Sequence, residues 1–149
     1  MTIKQNLQND LKVAMRDSDR IRRDTIRMAL TSLKLAEVEQ GHELDESAVI
    51  NIINKELKNH QEALENAKTA ERLDLIEENQ NKIKILTSYM PEPYSEDEII
   101  VMAKNVISEL GAISKSDMGK VMKVLLPRLE GRARGDQVSH IVIKLLQDT

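Results

Sequence analysis

The sequence predicts an all-α protein in two parts, and three features predict it. Apolar residues recur at intervals of three and four along almost the whole chain, while strand-like alternation is rare. Residues that start and stop helices bracket each such stretch. The pattern breaks most sharply at Tyr89-Met90-Pro91-Glu92-Pro93-Tyr94. Each proline there removes a backbone donor and drives the residue before it out of the α region. A helical N-terminal subdomain over 1–90 and a C-terminal one over 95–149 are therefore expected, joined by a Pro-containing linker.

Taken in order, Thr2 and Gln5 have the spacing of a capping box, and Ile3, Leu7, Leu11, Ala14 and Met15 follow as one stripe of a short first helix. A second helix starts after Ser18 or Asp19 and runs through Ile21, Ile26, Met28, Leu30, Leu33 and Val38 to Gly41, a natural stop. Leu44 before Asp45, with Val49 beyond, forms a hydrophobic staple that opens a third helix carrying Ile52, Ile53, Leu57 and Leu64. The pattern weakens around Ala67–Thr69 and resumes with Leu73, Ile76, Ile83, Leu86 and Met90, so a helical hairpin is expected. Past the prolines, Ser95 and Glu98 make a second capping box for a helix ending at Gly111. Another helix begins near Ser116-Asp117, with Ser116 as its cap, and the last begins at Asp136. Pro127 should kink or stop the penultimate helix just before Arg128.

Composition narrows the function classes. With 40% hydrophobic and 32% charged residues, the 149-residue chain falls in the globular range. There is no Phe or Trp, and the aromatics are Tyr89 and Tyr94, so aliphatic side chains must fill the core. Met15, Met28, Met102, Met118 and Met122 are expected to fill gaps between helices, as flexible thioethers do. The lack of cysteine excludes disulfides and thiolate zinc sites. The N-terminus lacks the apolar stretch of a secretory signal and no run reaches the length of a membrane span, so no membrane association and a cytoplasmic location are expected.

Catalytic and metal sites are expected to be absent, and no cofactor is called for. His42, His60 and His140 are far apart, none with a second His one turn away, and each reads as solvated or locally hydrogen-bonded. Gly119-Lys120 fails as a phosphate loop, because Ser114 and Val121 stand where that loop needs Gly and Ser or Thr. Acidic pairs such as Glu77/Glu78 and Asp97/Glu98 fall on solvent faces or at a helix start, where the dipole favours them.

Charge is distributed unevenly. Residues 1–34 hold eight Lys/Arg against four Asp, and 111–149 hold seven against four Asp/Glu, although the whole chain is at −3. An anionic partner would be drawn to the two ends and repelled by the middle. Near the C-terminus Met118, Val121, Met122, Leu125 and Leu129 share one side of a helix, and Lys120, Lys123 and Arg128 point the other way. Arg132 and Arg134 follow in Gly131-Arg132-Ala133-Arg134-Gly135, whose glycines would let backbone amides approach a phosphate. Five cations along one edge suit a sugar-phosphate backbone. Without interleaved aromatics, recognition would be of shape and phosphate rather than of base sequence.

Ser114-Lys115-Ser116-Asp117-Met118-Gly119-Lys120-Val121-Met122, followed by Pro127 and the Gly131 to Gly135 turn, resembles the tail domain of the GatB/YqeY family. Arg23-Asp24-Thr25-Ile26-Arg27-Met28, Lys55-Glu56-Leu57-Lys58, Arg72-Leu73-Asp74-Leu75 and Tyr89-Met90-Pro91 fall where YqeY-like proteins have similar stretches. The resemblance implies a helical N-terminal subdomain and a compact three-helix tail. It also implies tRNA as a partner, since the similar tail of the B subunit of glutamine-dependent tRNA amidotransferase contacts tRNA. Lys115, Lys120 and Lys123 are carried over as candidate contacts, beside Arg128, Arg132 and Arg134 from the charge pattern. One departure is Arg134, where the family turn carries Asp; Asp136 is expected to take over the capping role. A carbon-nitrogen ligase activity with glutamine as amido-N-donor also attaches to the family, but no residue here supplies it independently. The remaining alternative is a helical adaptor that docks a protein partner through its N-terminal helices.

Overall fold

The computed structural model describes residues 1–147; Asp148 and Thr149, the last two positions of the expected 95–149 subdomain, lie outside the described residues. Helices α1 (Ile3–Arg16), α2 (Arg20–Gln40), α3 (Glu46–Thr69), α4 (Leu73–Thr87), α5 (Glu96–Leu110), α6 (Met118–Leu129) and α7 (Gly135–Gln147) follow one another, with no strand among the described residues. The fold is all-α. The chain divides into two compact units, 1–90 and 91–149.

In the first unit the ends of the helices follow from their sequences. Thr2 and Gln5 close a reciprocal capping box on α1, and Asp19 accepts the Arg22 amide at the start of α2. Gly41 ends α2 at φ 78°, a left-handed conformation that side chains resist. Asp45 caps α3 while Leu44 and the buried Val49 pack into the same core, as a hydrophobic staple requires. Lys4 of α1 reaches Glu37 of α2 at 2.6 Å, which fixes these two helices antiparallel, and the α3–α4 hairpin packs on them. Leu7, Ile26, Leu33, Ile53 and Leu86 are completely buried at the centre. Tyr89 donates to the Asp10 carboxylate and so ties the chain after α4 back to α1. Burial pushes the phenol up to about 12, helped by that carboxylate, so it stays a donor.

Several expectations for this unit are corrected. Met15 and Met28 are exposed rather than packed, as are Val38 and Leu73. On α2, Met28 and Val38 belong to a second apolar stripe on the outer side, and three-four spacing alone does not tell it from the core-facing one. His60, expected to be solvated or locally hydrogen-bonded, is only 7% exposed, and its Nε2 has no hydrogen-bond partner among the described residues. Burial holds its pKa below the ordinary histidine value, Lys82 of α4 adds to this, and Glu56 opposes it.

The second unit packs α5, α6 and α7 around Ile99, Val106, Val121, Leu125, Leu129, Val138 and Val142. Met102, Met118 and Met122 are partly buried against that core, in the gap-filling role expected of them. Ser95 accepts the Glu98 amide, the half of the expected capping box that the structure displays. Gly111 ends α5 in the left-handed region.

Candidate nucleic-acid interface

The segment before α6 departs from expectation in a way that orders it. Ser116 does not cap the helix; it lies in a short 3-10 turn, Lys115–Asp117, with its hydroxyl 2.7 Å from that of Ser114. No side chain caps α6; the Asp117 carboxylate instead accepts the Ile113 and Ser114 amides at 3.0 and 3.4 Å and ties the turn to the residues before it. Those two backbone donors hold Asp117 below the usual carboxylate range, with Lys120 adding to the effect. The turn therefore has a defined entry into α6, and Lys115 is carried on it.

Along α6, Val121, Leu125 and Leu129 are buried, while Lys120 and Lys123 stand exposed on the opposite side. No ion pair joins Lys115, Lys120 or Lys123 to a carboxylate among the described residues. Arg128 is different. It follows the fully buried Val121 by seven positions, so it shares that flank of the helix rather than the lysine side. It binds Glu109 of α5 through two nitrogens, at 3.2 and 2.8 Å. Each partner shifts the other, with Arg128 raised and Glu109 lowered by their hydrogen bonds. Nor does Pro127 stop the helix before Arg128: α6 continues through Leu129, and Glu130 then turns left-handed at φ 51°.

The basic turn is likewise more occupied than its composition implies. Gly131 has φ 74°, whereas Gly135 is already the first residue of α7, one position ahead of the expected start at Asp136. Arg132 lies over the Tyr94 ring at 4.1 Å and donates from Nε to the Glu92 carbonyl, while the Tyr94 amide donates to the Arg132 carbonyl. Arg132 thus anchors residues 92–94 to the turn. Arg134, where the family pattern has Asp, pairs with Asp136 at 2.7 Å. Asp136 sits in the first turn of α7 and is held below the usual range first by the Gln137 amide and then by Arg134.

The six cations expected at this surface therefore separate into two classes. Three lysines are exposed and outside any ion pair among the described residues, Lys120 acting on Asp117 only through its charge, and three arginines hold carboxylates, a carbonyl or a ring. The sequence offered one usable signal for the difference: Glu109 and Asp136 lie where α5 and the start of α7 bring acids to the arginine flank. Tyr94 is covered by Arg132 and Tyr89 is bound to Asp10, which leaves neither ring open for stacking on a base.

Elsewhere, no three His, Asp or Glu side chains gather as a metal site, and no helix is long and apolar enough to cross a membrane, among the described residues. One surface groove is lined by Arg20, Ile21, Asp74, Glu77, Glu78 and Asn81, and Arg72 pairs with its Asp74 at 3.0 Å.

The family model described as "Yqey-like protein" matches residues 4–146 of this chain. The chain is similar to altered inheritance of mitochondria protein 41, mitochondrial, of Lachancea thermotolerans, with 34% identity over 70% of this chain and 58% of that protein. It is similar to the protein of the same name from Pyrenophora tritici-repentis, with 30% identity over 85% of this chain and 71% of that one. A Schizosaccharomyces pombe protein described as uncharacterized is 28% identical over 58% of this chain and 74% of its own length.

Proposed function

The chain belongs to the Yqey-like protein family, and from that premise we propose that residues 91–149 form a GatB/YqeY tail-like module that holds tRNA by its phosphates and leaves amide transfer to other proteins. The observation that carries this reading is the lysine side of α6. Lys120 and Lys123 project away from a fully buried aliphatic face, with Lys115 on the ordered turn before them. A rigid helix holds two of these ammonium groups one turn apart, a spacing that meets a charged backbone without spending side-chain pairs already made.

Each phosphate neutralised releases counterions, so affinity falls as salt rises. Lys115, Lys120 and Lys123 are the primary contacts. Arg128 and Arg134 are secondary, because a phosphate must first displace Glu109 or Asp136; exposed pairs are weak enough for that exchange. Arg132 acts mainly by fixing the turn to Glu92 and Tyr94.

The test is an electrophoretic shift with total tRNA over a range of salt concentrations. Changing Lys115, Lys120 and Lys123 together to Ala should weaken binding and flatten the salt slope by roughly 2–3, on the order of 0.9 for each lost contact. An unchanged slope removes this surface from the account. Given glutamine, ATP and misacylated tRNA, the chain alone should form no amidated product; product formation would overturn the non-catalytic reading.

A further inference from the structure

Helix α2 turns Ile26, Ala29 and Leu33 into the core of its unit, yet Met28, Leu35 and Val38 remain 51%, 61% and 68% exposed. With Thr31, also exposed, they stand at positions 28, 31, 35 and 38, the three-four spacing of a coiled-coil seam. The buried residues of α2 lie on its other side, where α1, α3 and α4 pack. An aliphatic seam thus faces away from the only core its unit has.

The flanks of the seam are unequal. Arg27 and Lys34 each precede a seam residue by one position, so both border the same edge, and neither pairs with a carboxylate among the described residues. Arg27 instead lies 3.8 Å from the sulfur of Met15, itself exposed, which extends the apolar surface onto α1. On the other edge Ser32 donates to Glu56 of α3 and is spoken for.

We infer that the outer face of α2 docks an amphipathic helix of another protein, one whose apolar seam is bordered by Asp or Glu on the edge that meets Arg27 and Lys34. Charge selects this occupant. A second copy of the chain fits badly in either direction. Antiparallel pairing sets Arg27 and Lys34 against their own counterparts, and parallel pairing sets Asp24, the seam position before Met28, against itself. An anionic bilayer would meet Asp24 on the seam and Glu39 at its border, and RNA offers nothing to three aliphatic side chains. The inference is independent of the tRNA reading, which concerns the other unit.

The test uses the full chain and a fluorescent synthetic helix roughly three heptads long, with Leu at its seam positions and Glu on its flanks. Anisotropy should show saturable binding that falls at least about tenfold in Leu35→Gln. It should fall likewise in the Arg27→Glu, Lys34→Glu double variant, which should in turn prefer the same peptide carrying Lys flanks. These sites are exposed, so helical circular dichroism should be unchanged. The inference is overturned by failure of the Glu-flanked peptide to bind, or by equal affinity for both peptides. It is also overturned by a wild-type dimer that dissolves in Leu35→Gln, or by Leu35-dependent flotation with anionic vesicles.

Discussion

Residues 91–149 enclose a core in which every buried side chain is apolar, whereas residues 1–90 bury Thr25, His60 and Asn79 among their aliphatics, within the described residues. The outer surfaces differ as well. In the first unit Lys4, Arg22, Arg23, Lys68 and Arg72 form ion pairs with carboxylates of their own unit, while in the second Lys115, Lys120 and Lys123 form none among the described residues. The first unit joins α1 to α2 through Lys4–Glu37 and Arg22–Asp10 and carries a polar compromise inside. The second relies on a dry interior and keeps three positive charges available.

The comparison breaks most visibly under core truncation. Leu33→Ala and Leu125→Ala each remove a completely buried side chain and should each cost about 2–5 kcal/mol. Hydrogen exchange should then rise throughout 1–90 for the first and throughout 91–147 for the second. Exchange that spreads evenly over both units in either variant would show that they are not separate compact bodies.

Acid should separate the units next. The folded pKa of His60 is depressed, so the unfolded chain takes up the proton first. Its contribution to stability is thus present above the unfolded value of about 6.5 and is lost as pH falls below it. Thermal melting between about pH 7.5 and about pH 5.5 should show the first unit losing more stability than the second. His60→Leu should shrink that loss, since it removes the unpartnered Nε2 along with the titration. An equal acid loss in the variant would place the sensitivity elsewhere.

The smallest effect concerns the arginines. Glu109→Gln leaves Arg128 without its ion pair, and tRNA affinity should rise modestly at low salt. No change would mean that Arg128 does not reach the ligand even when released.

Helix placement was largely legible in the sequence, because local chemistry determines it. The Thr2/Gln5 box, Asp19, Gly41, the Leu44/Val49 staple and Gly111 all act where their residue types predict. Less legible was anything decided by a neighbouring helix. Met28 and Val38 belong to the periodic pattern yet face out, and His60 looks like a surface residue yet lies inside, since only the position of the packing helices tells which side is covered. The same limit applied to the interface. Lys120 and Lys123 could be read from spacing alone, whereas Arg128 depended on Glu109 and Arg132 on Tyr94, residues 19 and 38 positions away. Of the kink or stop expected at Pro127, the stop does not occur, since α6 runs on through Leu129. The carbonyl left without its helical donor is that of Lys123, and the loss of this one bond does not end the helix.

The most direct measurement of the central claim is a backbone amide NMR titration of the full chain with tRNA at low salt. Shifts should concentrate on residues 115–123 and the following basic turn, and should recede together as salt is added. Perturbations confined to residues 1–90, or indifferent to salt, would contradict a phosphate-holding edge on α6.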